Sequence, residues 1–149
     1  MNTRSALLQA ASSTLECLGF LFPDEELSET QAAADRLEGA CRVRFRGPMS
    51  GALEMEVFGN VLGELAANMM GRDGPPEPAV CREALGEVAN VVCGNVLPAV
   101  AGTHAVFDLS APETGVDPVL RRPFASDTVA VAILGLGEGR VEIALRRYA

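Results

Sequence analysis

The chain contains no lysine and a single histidine, His104. All twelve of its cationic residues are arginines, against 20 Asp and Glu, which gives a formal net charge of −8. Without lysine, Schiff-base and lysine-nucleophile chemistry are excluded, and one histidine excludes any mechanism that requires two. The acidic balance argues against nucleic acid and anionic membranes as partners, because both attract basic patches.

Cysteine is also scarce, and its spacing does not favour a metal site. The chain has four, none in a C-x-x-C pair: Cys17, Cys41, Cys81 and Cys93. One histidine cannot complete a Cys₂His₂ zinc site, and apolar periodic surroundings favour small core residues over a Cys₄ site. No stretch approaches the roughly 18 apolar residues of a membrane span, and no signal-peptide pattern opens the chain. We therefore expect a reduced, cytoplasmic protein with no membrane partner.

The hydrophobic patterns predict an α+β fold in which helices pack on a largely antiparallel sheet. Helices are predicted from Thr3 to Leu18, Phe58 to Met70, and Pro78 towards Val100. Strands are predicted from Cys41 to Arg46, Leu53 to Val57, Thr103 to Ser110, Asp127 to Leu134, and Arg140 to Leu145. The stretch from Ser28 to Leu37 fits either a short helix or an irregular connection, and Pro112, Pro118 and Pro123 indicate a long irregular passage.

The first two strands form a predicted hairpin around a Gly47–Gly51 turn, with arginines at alternate positions of the first strand. We expect Arg44 to lie opposite Glu54 and Arg42 opposite Glu56, as cross-strand ion pairs. A row of arginines is also compatible with an anion site, but a solvated face paired with glutamates is the better interpretation.

The helix that begins at Pro78 has two different faces when its residues are placed at about 100° intervals. Its apolar residues form one stripe, and Glu83, Glu87, Asn90 and Gly94 fall within about 60° on the opposite side. Gly86 and Gly94 each cost a helix interior about 1 kcal/mol relative to alanine, and asparagine is also a poor helix former. These choices suggest that a partner approaches closely, and Glu83, Gly86 and Gly94 are candidate contacts. On spacing alone, a solvated face is the simpler interpretation.

The run from Ala84 to Asn95 resembles the E-x-x-N…G signature of the CheX/CheC chemotaxis phosphatases. The resemblance extends over most of the chain, weakens at 23–40 and 113–126, and implies that residues 1–149 form a single domain with the CheC-like fold. One clear motif makes the chain more similar to CheX than to CheC, which carries two. Ala89 stands where the family often has glycine, a change that should be tolerated.

An imperfect second copy of the motif lies on the preceding predicted helix. Glu64 and Asn68 are four residues apart instead of three. Because Leu65 and Met69 beside them belong to an apolar stripe, we interpret Glu64 and Asn68 as structural residues, the remnant of an internal repeat.

The resemblance implies a phosphatase that hydrolyses the aspartyl phosphate of a CheY-like response regulator. It further implies that Asn90 orients the attacking water and that Glu87 pairs with a lysine of the partner. A carboxamide suits this task because it both accepts from and donates to water and does not repel phosphoryl oxygens. No cofactor is expected on this chain, and Mg²⁺ is expected in the partner receiver domain.

The sequence alone does not decide between this and other functions, and it does not determine the oligomeric state. A non-catalytic adaptor could bind a response regulator or a flagellar-switch component through the same helix. A small-molecule binding domain has little support, since no glycine-rich phosphate loop follows a strand. The strand around Val129–Ile133 is apolar on both faces, which indicates a central strand or one covered by another subunit. The resemblance implies the latter, a homodimer joined through its sheets.

Overall fold

A computed structural model of the protein describes residues 2–24, 36–115 and 127–148. Its elements in chain order are α1 (Thr3–Gly19), β1 (Leu37–Arg46), β2 (Gly51–Gly59), α2 (Leu62–Met70), α3 (Pro78–Ala101), β3 (Asp108–Leu109), β4 (Glu113–Gly115), β5 (Thr128–Leu136) and β6 (Gly139–Arg147). The predicted α+β class is confirmed. Most of the stretch left undecided, at 28–35, and most of the irregular passage, at 116–126, lie outside the described residues.

The strands form one antiparallel sheet in the order β3-β1-β2-β6-β5, and β4 pairs with β1 beside β3. Alternate residues such as Val43, Met55 and Ile143 are fully buried in the hydrophobic core. The helices supply the other half of that core, with α1 packed on β5 and α3 packed on α1, α2 and β1. The helices therefore cover one face of the sheet, and α3 lies among them.

The hairpin register differs by two residues from the prediction. Arg42 lies opposite Glu54, and Arg44 lies opposite Ala52, because pairing continues to Phe45 and Gly51 at the turn. Residues 46–50 therefore lie between the last paired residues, one position earlier than the predicted Gly47–Gly51 turn. Arg44 forms its ion pair with Glu113 of β4 instead, at 2.9 Å.

The sheet face opposite the helices carries charges that are buried, which corrects the prediction of a solvated face. Glu54 is fully buried between Arg42, whose Nη2 lies 3.2 Å away, and Arg146. The Arg146 guanidinium also donates to Thr128 at 2.6 Å and Asp127 at 3.3 Å. Buried charges need partners, and this cross-strand network supplies one to Arg42. Because Arg44 is paired with Glu113, two of the three arginines in the row are already engaged, which does not favour the anion-site alternative.

Strand β5 lies at one edge of the described sheet, where it pairs with β6. Among the described strands β5 is therefore not central, in contrast to one of the two interpretations of its apolar sequence. Ala132 and Leu134 are buried in the core, whereas Val129 is 43% exposed. The alternative, cover from another subunit, stays a prediction.

Helix α2 begins four residues later than predicted, because β2 continues to Gly59, which has φ +91°. The Glu38 carboxylate accepts from the Leu62 N–H at 2.6 Å and from the Val61 N–H, which satisfies two amides at the start of the helix. The predicted end at Met70 is confirmed, and Gly71 follows α2 with φ +66°.

Helix α3 continues through Pro98 to Ala101, close to the predicted extent towards Val100. Proline removes a hydrogen bond to the carbonyl four residues earlier. That carbonyl belongs to Gly94, an exposed residue. Water can therefore replace the missing donor, and the helix extends one further turn. The predicted strand at Thr103–Ser110 is correspondingly shorter, since only Asp108–Leu109 is strand.

Candidate functional site

The outward face of α3 holds the motif residues in the arrangement that the spacing predicted. Glu83, Glu87 and Asn90 are all exposed. On the opposite face Leu85, Val88 and Val92 are fully buried in the core. Residues three apart lie on neighbouring turns of a helix, so the carboxylate of Glu87 and the amide of Asn90 project side by side from the surface.

Neither of these two side chains is engaged by the part of the chain that the structure describes. Within the described part of the chain, Glu87 and Asn90 make no side-chain hydrogen bond or ion pair. An exposed amide and carboxylate that are free of internal partners are available to another molecule. The amide can donate and accept, and the carboxylate can pair with a cation.

The two helix glycines serve different purposes. A Cβ added at Gly94 would meet nothing within 4 Å, so no internal contact explains the missing side chain. At Gly86 a Cβ would come within 3.0 Å of the Pro112 Cβ and 3.3 Å of the Thr114 Cγ2. Gly86 is buried, and the group that approaches it belongs to this chain. We therefore correct the prediction that Gly86 contacts a partner and assign it to internal packing.

The second Glu and Asn pair, on α2, is arranged differently. Glu64 is exposed, but Asn68 is half-buried, and its Nδ2 donates to the Gly19 carbonyl at 2.7 Å. That carbonyl belongs to the last residue of α1, and the last carbonyls of a helix have no N–H donor within the helix. This contact supports the structural interpretation of Asn68, because the amide is already committed.

Three of the four cysteines are core residues. Burial raises the pKa of the Cys41 and Cys93 thiols to about 12, which leaves both protonated and unreactive. Cys81 is buried as well. Cys17, in contrast, is exposed on α1, which corrects the expectation that every cysteine lies in the core. In the ranges that the structure describes, no three His, Cys, Asp or Glu side chains are grouped to hold a metal ion.

Helix α3 is long and apolar enough, by length and composition alone, to cross a membrane. Half of that window is buried inside the fold, as expected for the central helix of a packed domain. The exposed half carries the motif residues, so the apolar character of α3 comes from its core face.

Two features of this surface were missed by the sequence reasoning. Val91 is 36% exposed although it is apolar, and it lies between the Glu87/Asn90 pair and Asn95. Asn95 in turn borders a groove between α1 and α3. The exposure of Val91 could have been read from its position four residues after Glu87, but the groove depends on how α1 packs against α3.

These features define a class of protein: an α+β domain with the CheC-like fold, whose longest helix presents an E-x-x-N pair to solvent. A family described as chemotaxis phosphatase CheX matches residues 40–117, more than half of the chain. The chain belongs to this family. The matched region includes most of β1, the strands β2 to β4 and the whole of α3.

Solved structures agree on the fold at low sequence identity. The chemotaxis protein CheX from Vibrio vulnificus is 15% identical, with a TM-score of 0.77 over 99% of this chain and 97% of its own. CheX in the CheX–CheY–BeF₃–Mg²⁺ complex from Borrelia burgdorferi is 15% identical, with a TM-score of 0.74 over 97% of both chains. A CheC-like superfamily protein from Shewanella sp. PV-4 is 16% identical, with a TM-score of 0.73 over the full length of both. No curated protein sequence matches the chain.

Proposed function

We propose that this protein is a phosphatase that hydrolyses the aspartyl phosphate of a CheY-like response regulator in two-component signalling. Membership of the CheX family supports this reaction class. The observation that carries the proposal is the exposed pair on α3, Glu87 and Asn90, neither of which is engaged by the described part of its own chain.

Asn90 is proposed to orient the attacking water. An aspartyl phosphate is an activated acyl phosphate, so the main requirement is a water in line with the bond that breaks. The water oxygen forms a bond to phosphorus, the P–O bond to the aspartate breaks, and the carboxylate leaves with its electron pair. A neutral amide can hold this water without repelling the phosphoryl oxygens. Mg²⁺ in the receiver domain is proposed to bind the phosphoryl group there.

Glu87 is proposed to anchor the receiver by pairing with one of its lysines. Among the described residues, no basic side chain shares the exposed strip of Glu83, Glu87 and Asn90, so the two carboxylates are available to a cation from the partner. Gly94 lies on the same strip with open space above it, which leaves room for the partner's backbone. Glu83 lies one turn before Glu87 and is proposed as an outer contact.

We also propose that the protein is a cytoplasmic homodimer joined through β5. This strand lies at the edge of the described sheet, and an edge strand is a template for pairing with another strand. Its partly exposed Val129 favours cover by a second copy. Sedimentation of a stable monomer at working concentration would contradict the dimer.

The central experiment compares the wild-type protein with the Asn90→Ala variant on a phosphorylated CheY-type receiver. The wild-type protein should accelerate loss of phosphate, and Asn90→Ala should lose that acceleration by about 100-fold, since the water is no longer held in line. Circular dichroism should show an unchanged fold, because Asn90 is exposed and makes no internal contact in the described chain.

Asn60→Ala is a matched control, because Asn60 is an exposed asparagine outside α3. Equal rates for Asn90→Ala and wild type would contradict the proposed mechanism. A wild-type protein that binds the receiver but never accelerates phosphate loss would instead support the adaptor function.

A further inference from the structure

An exposed row on α3 leads away from the proposed catalytic pair. Glu87, Val91 and Asn95 are spaced four residues apart, and all three are exposed. Residues at this spacing form a continuous ridge along a helix. The ridge therefore connects the proposed site to the surface beside Asn95.

At the end of this ridge a groove of about 230 Å³ runs between α1 and α3. Its lining residues are small or polar and none is charged: Ala6, Gln9, Ala10, Ser13, Asn95 and Ala99. Gln9, Ser13 and Asn95 are exposed and offer hydrogen-bonding groups of both kinds. Uncharged donors and acceptors match backbone amides and polar side chains, and they do not match a phosphoryl group.

The size of a protein interface requires contacts beyond the motif. A specific complex buries about 800 Å² on each partner, far more than two side chains can supply. On one flank of α3 the chain's own Pro112 and Thr114 already pack against Gly86. On the other flank the ridge and the groove are open, and they are continuous with Glu87 and Asn90.

We propose that the receiver domain docks over Val91 and into the α1–α3 groove, so that Gln9, Ser13 and Asn95 select the partner without taking part in the chemistry. This inference rests on the proposed function, because the receiver is the molecule that Asn90 must reach. It assigns α1 a role in recognition. The apolar side chain of Val91, once covered, shields the edge of the site from bulk solvent, while the Asn90 amide holds the attacking water.

The test places the same bulky cation at two exposed serines of α1. Ser13 lines the groove, whereas Ser5 does not, so Ser13→Arg and Ser5→Arg differ in position and not in charge. Each variant is titrated with a CheY-type receiver loaded with BeF₃⁻ and Mg²⁺ and is also assayed for turnover. Ser13→Arg should raise the Kd and the KM by about tenfold or more with kcat within about twofold of wild type, and Ser5→Arg should change neither.

A second pair tests the ridge. Val91→Ser should raise the KM, whereas Val106→Ser changes an exposed valine outside α3 and should leave it unaltered. Wild-type binding by both Ser13→Arg and Val91→Ser would overturn this inference, and equal losses from Ser13→Arg and Ser5→Arg would do so too, since charge would then be the cause.

A different result would contradict the proposed phosphatase function and leave the docking inference intact: the wild-type protein would bind the loaded receiver but would not release its phosphate. In that case the Kd values still decide whether the groove is the docking surface. A wild-type protein that binds no receiver overturns both proposals.

Discussion

Helices α2 and α3 each carry a glutamate followed within a turn by an asparagine, yet the two pairs have different surroundings. Asn68 turns inward to the Gly19 carbonyl at the end of α1, whereas Asn90 makes no side-chain hydrogen bond within the described chain. Both glutamates are exposed. The difference comes from the packing around each helix. The end of α1 packs against α2 and offers Asn68 a carbonyl that lacks a helical donor, whereas the outer face of α3 is exposed to solvent. A motif is available for function only where the fold leaves it free.

The largest expected effect comes from giving Asn90 a charge. Asn90→Asp keeps the shape of the side chain but places a carboxylate beside the phosphoryl oxygens, so turnover should fall by about 100-fold or more. The phosphate-release rate measures this loss. Asn2→Asp is the control for added charge, because Asn2 is exposed and aspartate can still accept from the Ser5 N–H. A comparable loss there would show that net charge, and not position, controls the rate.

Removing the charge of Glu87 should have a smaller effect than Asn90→Asp, and the effect should be on receiver binding. Glu87→Gln should raise the KM by about tenfold and weaken its dependence on salt, because a charge-assisted contact with the partner is lost. Steady-state rates at two ionic strengths test both statements. Glu64→Gln makes the same change on α2 and should leave the KM unaltered, and a matching rise there would indicate that α2 also contacts the receiver.

A substitution in the Glu64/Asn68 pair of α2 should change the free energy of unfolding and not the phosphatase rate. Asn68→Ala removes the donor to the Gly19 carbonyl and should lower the free energy of unfolding by about 1 kcal/mol. Urea unfolding measures this change, with Asn90→Ala as the control because the Asn90 amide has no hydrogen-bond partner in the described chain. The phosphatase rate of Asn68→Ala should remain that of wild type. A large loss of rate with unchanged stability would assign Asn68 to a second site instead.

The two glycines of α3 should give changes of opposite sign. Gly94→Ala should stabilise the protein by about 0.5–1 kcal/mol, because the added methyl group enters open space in a helix. Gly86→Ala should destabilise it, since Pro112 and Thr114 lie within 3.3 Å of the added Cβ. Thermal unfolding of both variants decides the signs, and destabilisation by Gly94→Ala would reveal an internal contact.

The parts of the fold that depend on local periodicity were predictable. Helix α1, the hairpin, the glycine end of α2 and the two faces of α3 follow from residues a few positions apart, which share a face of one element. The predicted exposure of Glu87 and Asn90 was correct for this reason. Family membership was also within reach, because the motif itself is a short run of sequence.

The errors share a physical cause, which is contact between residues distant in the chain. The hairpin register depended on where pairing stops at Phe45 and Gly51, and the edge position of β5 depended on which strands it meets. An alternation of apolar and polar residues determines neither the register of a hairpin nor the position of a strand in the sheet. The burial of Gly86 beneath Pro112 likewise required β4 to return to α3.

The sequence by itself determined the class of the fold and the outward direction of the Glu87/Asn90 pair, because a helix of regular pitch converts spacing directly into a face. Only the tertiary structure decided that the Asn68 amide is committed to Gly19, that Gly94 opens onto free space, and that α1 and α3 leave a groove beside Asn95. These depend on packing between elements, where the position of one helix sets what the side chains of another can reach.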